Sequence, residues 1–241
     1  MTKTNPDPRV RDQAMRSRKS VFMIIHETNR DSETSRSCGS GFVFKTRGGR
    51  CLVLTCEHVV ADFQTSTDRL FIRRFLNLDS EQIEELPATL LYAESSRDIA
   101  ILQVEGLSQH VPALRFSPMA IAPIGGTAIA LGYCNPERLF SCLAFADFPA
   151  VSPGQVRSKI DRGPRGSVLR VDCVGMPGMS GGPIICRSGV TAVITSGNRG
   201  ITNAISTETV HGVMKRWLRL GRHEVKNIHQ EVRNIHQVIR L

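Results

Sequence analysis

The chain carries few aromatic residues, no closely spaced cysteine pair and no long apolar run, and each shortage excludes a class of function. Aromatic side chains make up 5% of the 241 residues, with one Trp and two Tyr, which leaves little for a base-stacking surface. No nucleic-acid motif accompanies the net charge of +9, and much of the basic excess lies in the N-terminal arm and between Lys215 and Arg240. Solvated basic tails around a globular body account for it, so no specific nucleic-acid partner is expected. The cysteines (Cys38, Cys51, Cys56, Cys134, Cys142, Cys173 and Cys186) contain no CxxC pair, which removes the usual zinc and dithiol signatures. They are expected as free, mostly packed thiols, and no metal or other cofactor is expected. No apolar stretch reaches the roughly 18–20 residues of a membrane span. The first twenty residues are rich in Lys and Arg but lack the apolar segment of a secretory signal. An intracellular location, cytoplasmic or nuclear, is therefore the expectation.

What is present has ordinary globular composition, 41% hydrophobic and 22% charged, in a chain long enough for one large domain or two small ones. Residues 1–19 read as a flexible basic arm. Residues 20–26 form a short apolar run of strand length, and the polar stretch 27–37 reads as a loop. Residues 39–44 and 51–55, joined through Arg47-Gly48-Gly49-Arg50, read as a hairpin. Strand-like runs recur at 70–74, 88–92, 99–104, 128–131, 168–174, 184–186, 190–195 and 201–205. Many short strands punctuated by Gly, Pro, Asn and Ser predict an all-β barrel or sandwich. The proline-bearing segment 110–123 divides them, which predicts one barrel over about 20–112, a second over about 122–206 and a cleft between them.

The last part, 207–241, reads as a helical tail. Glu224-Val-Lys-Asn-Ile-His-Gln is followed by Glu231-Val-Arg-Asn-Ile-His-Gln. This heptad repeat sets Val225, Ile228, Val232, Ile235 and Ile239 on one stripe. Two heptads are short for an independent coiled coil. Docking on the barrel and self-association into a homo-oligomer stand as alternatives.

One hexapeptide concentrates the chemistry. Gly178-Met179-Ser180-Gly181-Gly182-Pro183 sets a serine on a tight turn ahead of Ile184-Ile185-Cys186. A serine hydroxyl is a weak nucleophile unless a base takes its proton. A candidate base, His58, lies in Leu54-Thr55-Cys56-Glu57-His58-Val59-Val60, and a candidate orienting acid, Asp98, opens Asp98-Ile99-Ala100-Ile101-Leu102. Asp98 would fix the tautomer of His58, and the amides of Gly178 and Ser180 would receive an oxyanion. Taken singly, each residue has a blander reading: a turn, a core histidine, a strand end. Together, in the order His, Asp, Ser, they make a catalytic triad the better one.

The same segments resemble trypsin-like serine proteases, and most closely their HtrA/Deg-like branch. Gly39-Ser40-Gly41-Phe42-Val43 is similar to that branch's GSGF strand, residues 54–60 to its LTNNHVV and residues 98–102 to its DIAVL. Val171-Asp172-Cys173-Val174-Gly175-Met176-Pro177-Gly178-Met179-Ser180 is similar, in frame, to its TDASINPGNS. The resemblance implies two six-stranded antiparallel β-barrels, with a helical tail where related proteins carry a PDZ domain. It implies a His58–Asp98–Ser180 triad that hydrolyses peptide bonds of unfolded or flexible polypeptides without a cofactor. It also places Val174 where trypsins carry the acid that selects Arg or Lys, which implies a small or aliphatic P1 side chain. Thr195-Ser196-Gly197 falls at the edge that pairs with substrate backbone. Met179 departs from the Asn or Asp usual before the serine. The alternative is a catalytically latent or inactive peptide-binding or scaffold module of the same fold.

Overall fold

The computed structural model describes residues 6–30, 33–77, 80–118, 122–134, 149–163, 165–198 and 200–224. Strands β1 (Val21–Arg30), β2 (Glu33–Arg47), β3 (Arg50–Thr55), β4 (Arg69–Asn77), β5 (Ser80–Glu94) and β6 (Ile99–Glu105) close into a first barrel in the order β1-β2-β3-β6-β5-β4. A second barrel closes in the order β10-β11-β12-β9-β8-β7. Its strands are β7 (Thr127–Gly132), β8 (Ala150–Gly163), β9 (Gly166–Val171), β10 (Pro183–Cys186), β11 (Gly189–Asn198) and β12 (Ile201–Ser206). Neighbouring strands pair antiparallel throughout. The fold is the expected all-β double barrel, and closure leaves neither barrel an open edge.

Local chemistry explains the hairpins that sequence anticipates. Gly48 and Gly49 have φ of +57° and +77°, the paired left-handed conformation of a tight turn whose twist matches its strands. Arg47 and Arg50 pair directly across it. Apolar residues of β6 fall inside, where Ile99, Ala100, Ile101 and Leu102 are fully buried.

Three expectations are corrected. The stretch 27–37 is strand where it is described: β1 runs to Arg30 and β2 starts at Glu33, with Glu27 opposite Arg36 and their side chains joined at 2.8 Å. Strand β8 replaces a segment with no strand signal, because Pro153 and Gly154 interrupt its pattern while Pro153 still pairs opposite Ile129. The N-terminal residues are not wholly a flexible arm. Pro8–Ser17 form helix α1, whose N-cap Asp7 accepts from the Arg9 N–H at 2.9 Å. Val10, Ala14 and Ser17 make its buried stripe, and the Asp7 N–H donates to Thr127 Oγ1 at 3.2 Å, fastening the helix to β7.

The connection after β6 runs against both barrels. Leu114 N–H reaches the Val43 carbonyl at 2.8 Å, and Ser117 N–H reaches that of Val190 at 2.7 Å. Helix α2 (Thr207–Glu224) then buries Val210, Val213 and Met214. Its Arg216 grips Glu94 of barrel one at 2.5 Å. The heptad repeat at 225–241 and Cys142 lie outside the described residues. No described helix is long and apolar enough to cross a membrane.

Candidate active site

His58 sits on a single 3-10 turn, Glu57–Val59, that follows β3. Val59 and Val60 anchor the turn in the core at 6% and 2% exposure. A Cβ at Gly39 would lie 2.5 Å from Val59 Cγ2, so a glycine is required where β2 passes this turn. Asp98 occupies the left-handed region, φ +55°, which Asp tolerates better than most side chains. That conformation turns its carboxylate inward, where the residue is 1% exposed.

The two residues meet closely. His58 Nδ1 lies 2.9 Å from Asp98 Oδ1 and 3.0 Å from Oδ2, and the His58 N–H donates to Oδ1 at 3.0 Å. Arg165, from the turn between β8 and β9, donates to Oδ2 at 2.8 Å. Burial pushes the Asp98 carboxyl up. The His58 hydrogen bonds, the His58 charge and the Arg165 charge outweigh burial and hold it below the usual carboxylate pKa. Asp98 is therefore an anion at neutral pH, and it favours a proton on His58 Nδ1, leaving Nε2 as the free lone pair.

Ser180 is carried by the turn before β10, wedged against barrel one. Ser40 of β2 gathers this turn: its N–H donates to the Ser180 carbonyl at 2.7 Å and its hydroxyl to the Gly178 carbonyl at 2.8 Å. The same hydroxyl accepts from the Tyr133 N–H at 2.7 Å. Gly178 has φ +92° and Gly181 φ +87°. Gly181 packs on the Ser40 carbonyl and Thr55 Oγ1, with no room for a side chain, so the serine turn and the strand leading to His58 touch. Met179 points the other way and is fully buried in the core of barrel two. Among the described residues, neither the Gly178 nor the Ser180 N–H has an acceptor, leaving both amides available to an anion. The Ser180 hydroxyl donates to the Thr195 carbonyl at 3.2 Å. A bulge between Ile194 and Ser196 presents that carbonyl, as bulges beside active sites often do.

The residues expected to bind substrate lie beside the serine turn. Thr195 is buried, whereas Ser196 and Gly197 are exposed on β11. Val174 is 51% exposed, with its N–H on Ser152 Oγ at 2.7 Å, so it does not floor an enclosed pocket. Gly175 and Gly197 face each other closely: a Cβ on Gly197 would lie 3.0 Å from the Gly175 oxygen and 3.2 Å from its Cα.

Cys56, His58 and Asp98 place possible ligand atoms within 4.8 Å of one another, but they suit a cation poorly. Burial pushes the Cys56 thiol well above its ordinary pKa, and its Sγ donates to the Ile194 carbonyl at 3.1 Å. Asp98 is already engaged by His58 and Arg165. Sequence reasoning missed Arg165 and the gathering role of Ser40. Both act across large separations, 67 residues for Arg165–Asp98 and 138 for Ser40–Gly178, and no local pattern encodes them.

The chain is 31% identical over 165 residues to a probable periplasmic serine endoprotease, DegP-like, of Ectopseudomonas mendocina (strain ymp). The alignment covers 67% of this chain but 30% of that relative. The expected cytoplasmic or nuclear location does not stand against that relative, whose name places it in the periplasm. Residues 39–193 match the family described as trypsin-like peptidase domain, a stretch that contains His58, Asp98 and Ser180. The matched stretch is more than half of the chain, and the chain belongs to the trypsin-like peptidase family.

Proposed function

We propose that the chain is a serine endopeptidase in which Ser180 is the nucleophile, His58 the general base and acid, and Asp98 the group that orients His58. The carrying observation is the buried Asp98 carboxylate held on both Nδ1 and the N–H of His58. Ser180 Oγ attacks the carbonyl carbon of a peptide bond while His58 Nε2 takes its proton. The carbonyl oxygen becomes an oxyanion received by the Gly178 and Ser180 amides, each such donor contributing about 3 kcal/mol to the transition state. His58 returns the proton to the leaving amine, and water repeats the cycle on the acyl-serine, regenerating the hydroxyl.

Flexible or unfolded polypeptides are the proposed substrates, paired along Thr195, Ser196 and Gly197. The close approach of Gly175 and Gly197 supports a small or aliphatic P1 residue. Dominant cleavage after Arg, Lys or an aromatic residue in a peptide library would overturn that preference. The name of the DegP-like relative supports a periplasmic or secreted setting.

One observation favours a second reading, a latent site serving as a peptide-binding module: the resting Ser180 hydroxyl points to Thr195 rather than His58. Fluorophosphonate labelling of wild type and Ser180→Ala, beside casein digestion, separates the two. Labelling and cleavage confined to wild type support the peptidase. A folded wild type that neither labels nor cleaves supports the latent module.

A further inference from the structure

We infer that Arg165 is a positioning residue for His58, acting through Asp98 to keep the imidazole neutral, and so usable as a base, down to lower pH. The inference deepens the proposed triad and rests on it for its consequence in turnover, though not for its effect on His58 itself.

The contact joins the two barrels at the site. Arg165 stands on the tip connecting β8 and β9, and its Nη1 lies 2.8 Å from Asp98 Oδ2, on a carboxylate with 2% exposure. The tip is tied down by the first turn of α2: Thr209 Oγ1 accepts from the Ser167 N–H at 2.9 Å. Gly166 next to it has φ +95°, and a Cβ there would strike Thr209 Oγ1 at 2.6 Å and Arg97 Nη1 at 2.9 Å. The guanidinium is thus delivered to Asp98 by a tip that packing holds in place.

The electrostatics have a definite sign. An anion behind the ring stabilises the imidazolium and raises its pKa. A cation on the same carboxylate cancels part of that anion's field and repels a protonated ring. The other charged or ionisable groups facing the pair do not substitute for it. Cys56 is a buried thiol kept neutral by burial. Glu57 is engaged by Ser95 Oγ at 2.9 Å. Arg97 adjoins Asp98 in sequence, but its guanidinium reaches Gly166 instead. Arg165 is the cation that donates to the carboxylate. It also fixes the carboxylate plane, occupying Oδ2 while the His58 N–H occupies Oδ1.

The test titrates His58 by NMR in an otherwise intact Ser180→Ala chain, with Arg165 as wild type, Arg165→Gln and Arg165→Lys. Gln replaces the cation with a shorter neutral polar side chain, and Lys keeps the charge without the planar fork. For a half-exposed cation this close, Gln is expected to raise the His58 pKa by about half a pH unit, with Lys restoring most of it. In the active protein, the acid limb of kcat/KM should move the same way, a loss of about threefold at acidic pH. A merely structural role would lower activity evenly without moving the limb. Identical His58 titration in wild type and Arg165→Gln overturns the inference. Failure of the peptidase reading shows separately, as absent turnover in wild type whatever the titration.

Discussion

Barrel one buries the bulkier side chains, Phe22, Ile24, Phe42, Leu54, Ile72 and Ile101 among them, whereas one core cluster of barrel two sets Ala128, Ala130, Ala192 and Ala204 beside Val156, Leu169, Val171, Met179, Ile184 and Ile194. The difference tracks how each half of the site is held. Barrel one has a core complete without its site residues, and it suspends His58 and Asp98 from its rim by hydrogen bonds. Barrel two takes a site-loop residue into its core. Met179 is fully buried in the same cluster as the alanines, and β7 presses so close that a Cβ on Gly132 would lie 2.9 Å from Met179 Cα. Packing is insensitive to pH and salt but intolerant of volume change, whereas hydrogen-bonded carboxylates show the reverse sensitivity. One half of the cleft should therefore fail by acid and the other by loss of volume.

The largest effect falls on the polar side. Asp98→Asn keeps the shape but permits the wrong tautomer of His58, and kcat is expected to drop about 10⁴-fold, far beyond what the accompanying loss of the Asp98 carboxylate's contribution to stability explains. Steady-state kinetics beside a thermal melt checks this, and a loss under tenfold would contradict the proposed role of Asp98. Next is Glu84→Ala. The Arg74–Glu84 pair lies at 2.6 Å with side chains 6% and 9% exposed, and removing one partner strands a buried charge, costing about 3 kcal/mol in urea unfolding. Met179→Ala should cost a similar or slightly smaller amount, about 2–3 kcal/mol, because it opens a cavity. Unlike Glu84→Ala it should also abolish labelling of Ser180, since the turn around Ser180 loses its anchor in the core. Met179→Leu, close in volume, should cost under about 1.5 kcal/mol.

The smallest predicted effect is a pH difference between the barrels. Burial pushes Glu84 up, but Ser108 and Arg74 hold its carboxyl below the usual range. Asp98 and Glu94 are likewise lowered against burial, Asp98 by His58 and Arg165 and Glu94 chiefly by Arg216. Asp68 is held down first by the Gln64 N–H. Each folded pKa is depressed, so each stabilisation is full above the unfolded carboxylate range and is lost as pH falls through the folded value. All four residues belong to barrel one. Amide exchange should open β4–β6 before β10–β12 as pH falls from 5 towards 3, and simultaneous opening would erase the distinction.

The His and Ser segments could be read directly because their determinants are local: a buried Val59-Val60 pair after His58, and glycines flanking Ser180 where positive φ is needed. Strands with clean apolar runs, such as β6, could be read for the same reason. Strand β8 could not, since its pairing is dictated by neighbours on both sides rather than by its own broken pattern. Helix α1 was legible in principle: Asp7-Pro8 is a cap followed by proline at the first turn, and Val10, Ala14 and Ser17 keep helical spacing. Its high charge masked that signal. Met179 illustrates a different limit. Its departure from the usual polar residue is visible in sequence, but that it serves as a core side chain depends on four alanines scattered from 128 to 204.

Ser40 carries a consequence for the order in which the protein comes into being. Its N–H and hydroxyl shape the turn around Ser180, yet it belongs to β2, made long before residues 178–182. On a ribosome, where N-terminal units fold first, the mould exists before the part it shapes. A growing chain halted between β6 and the serine turn holds all six strands of the first barrel without Ser180. The serine turn is thus assembled against a template already set, so premature termination yields fragments without the proposed nucleophile.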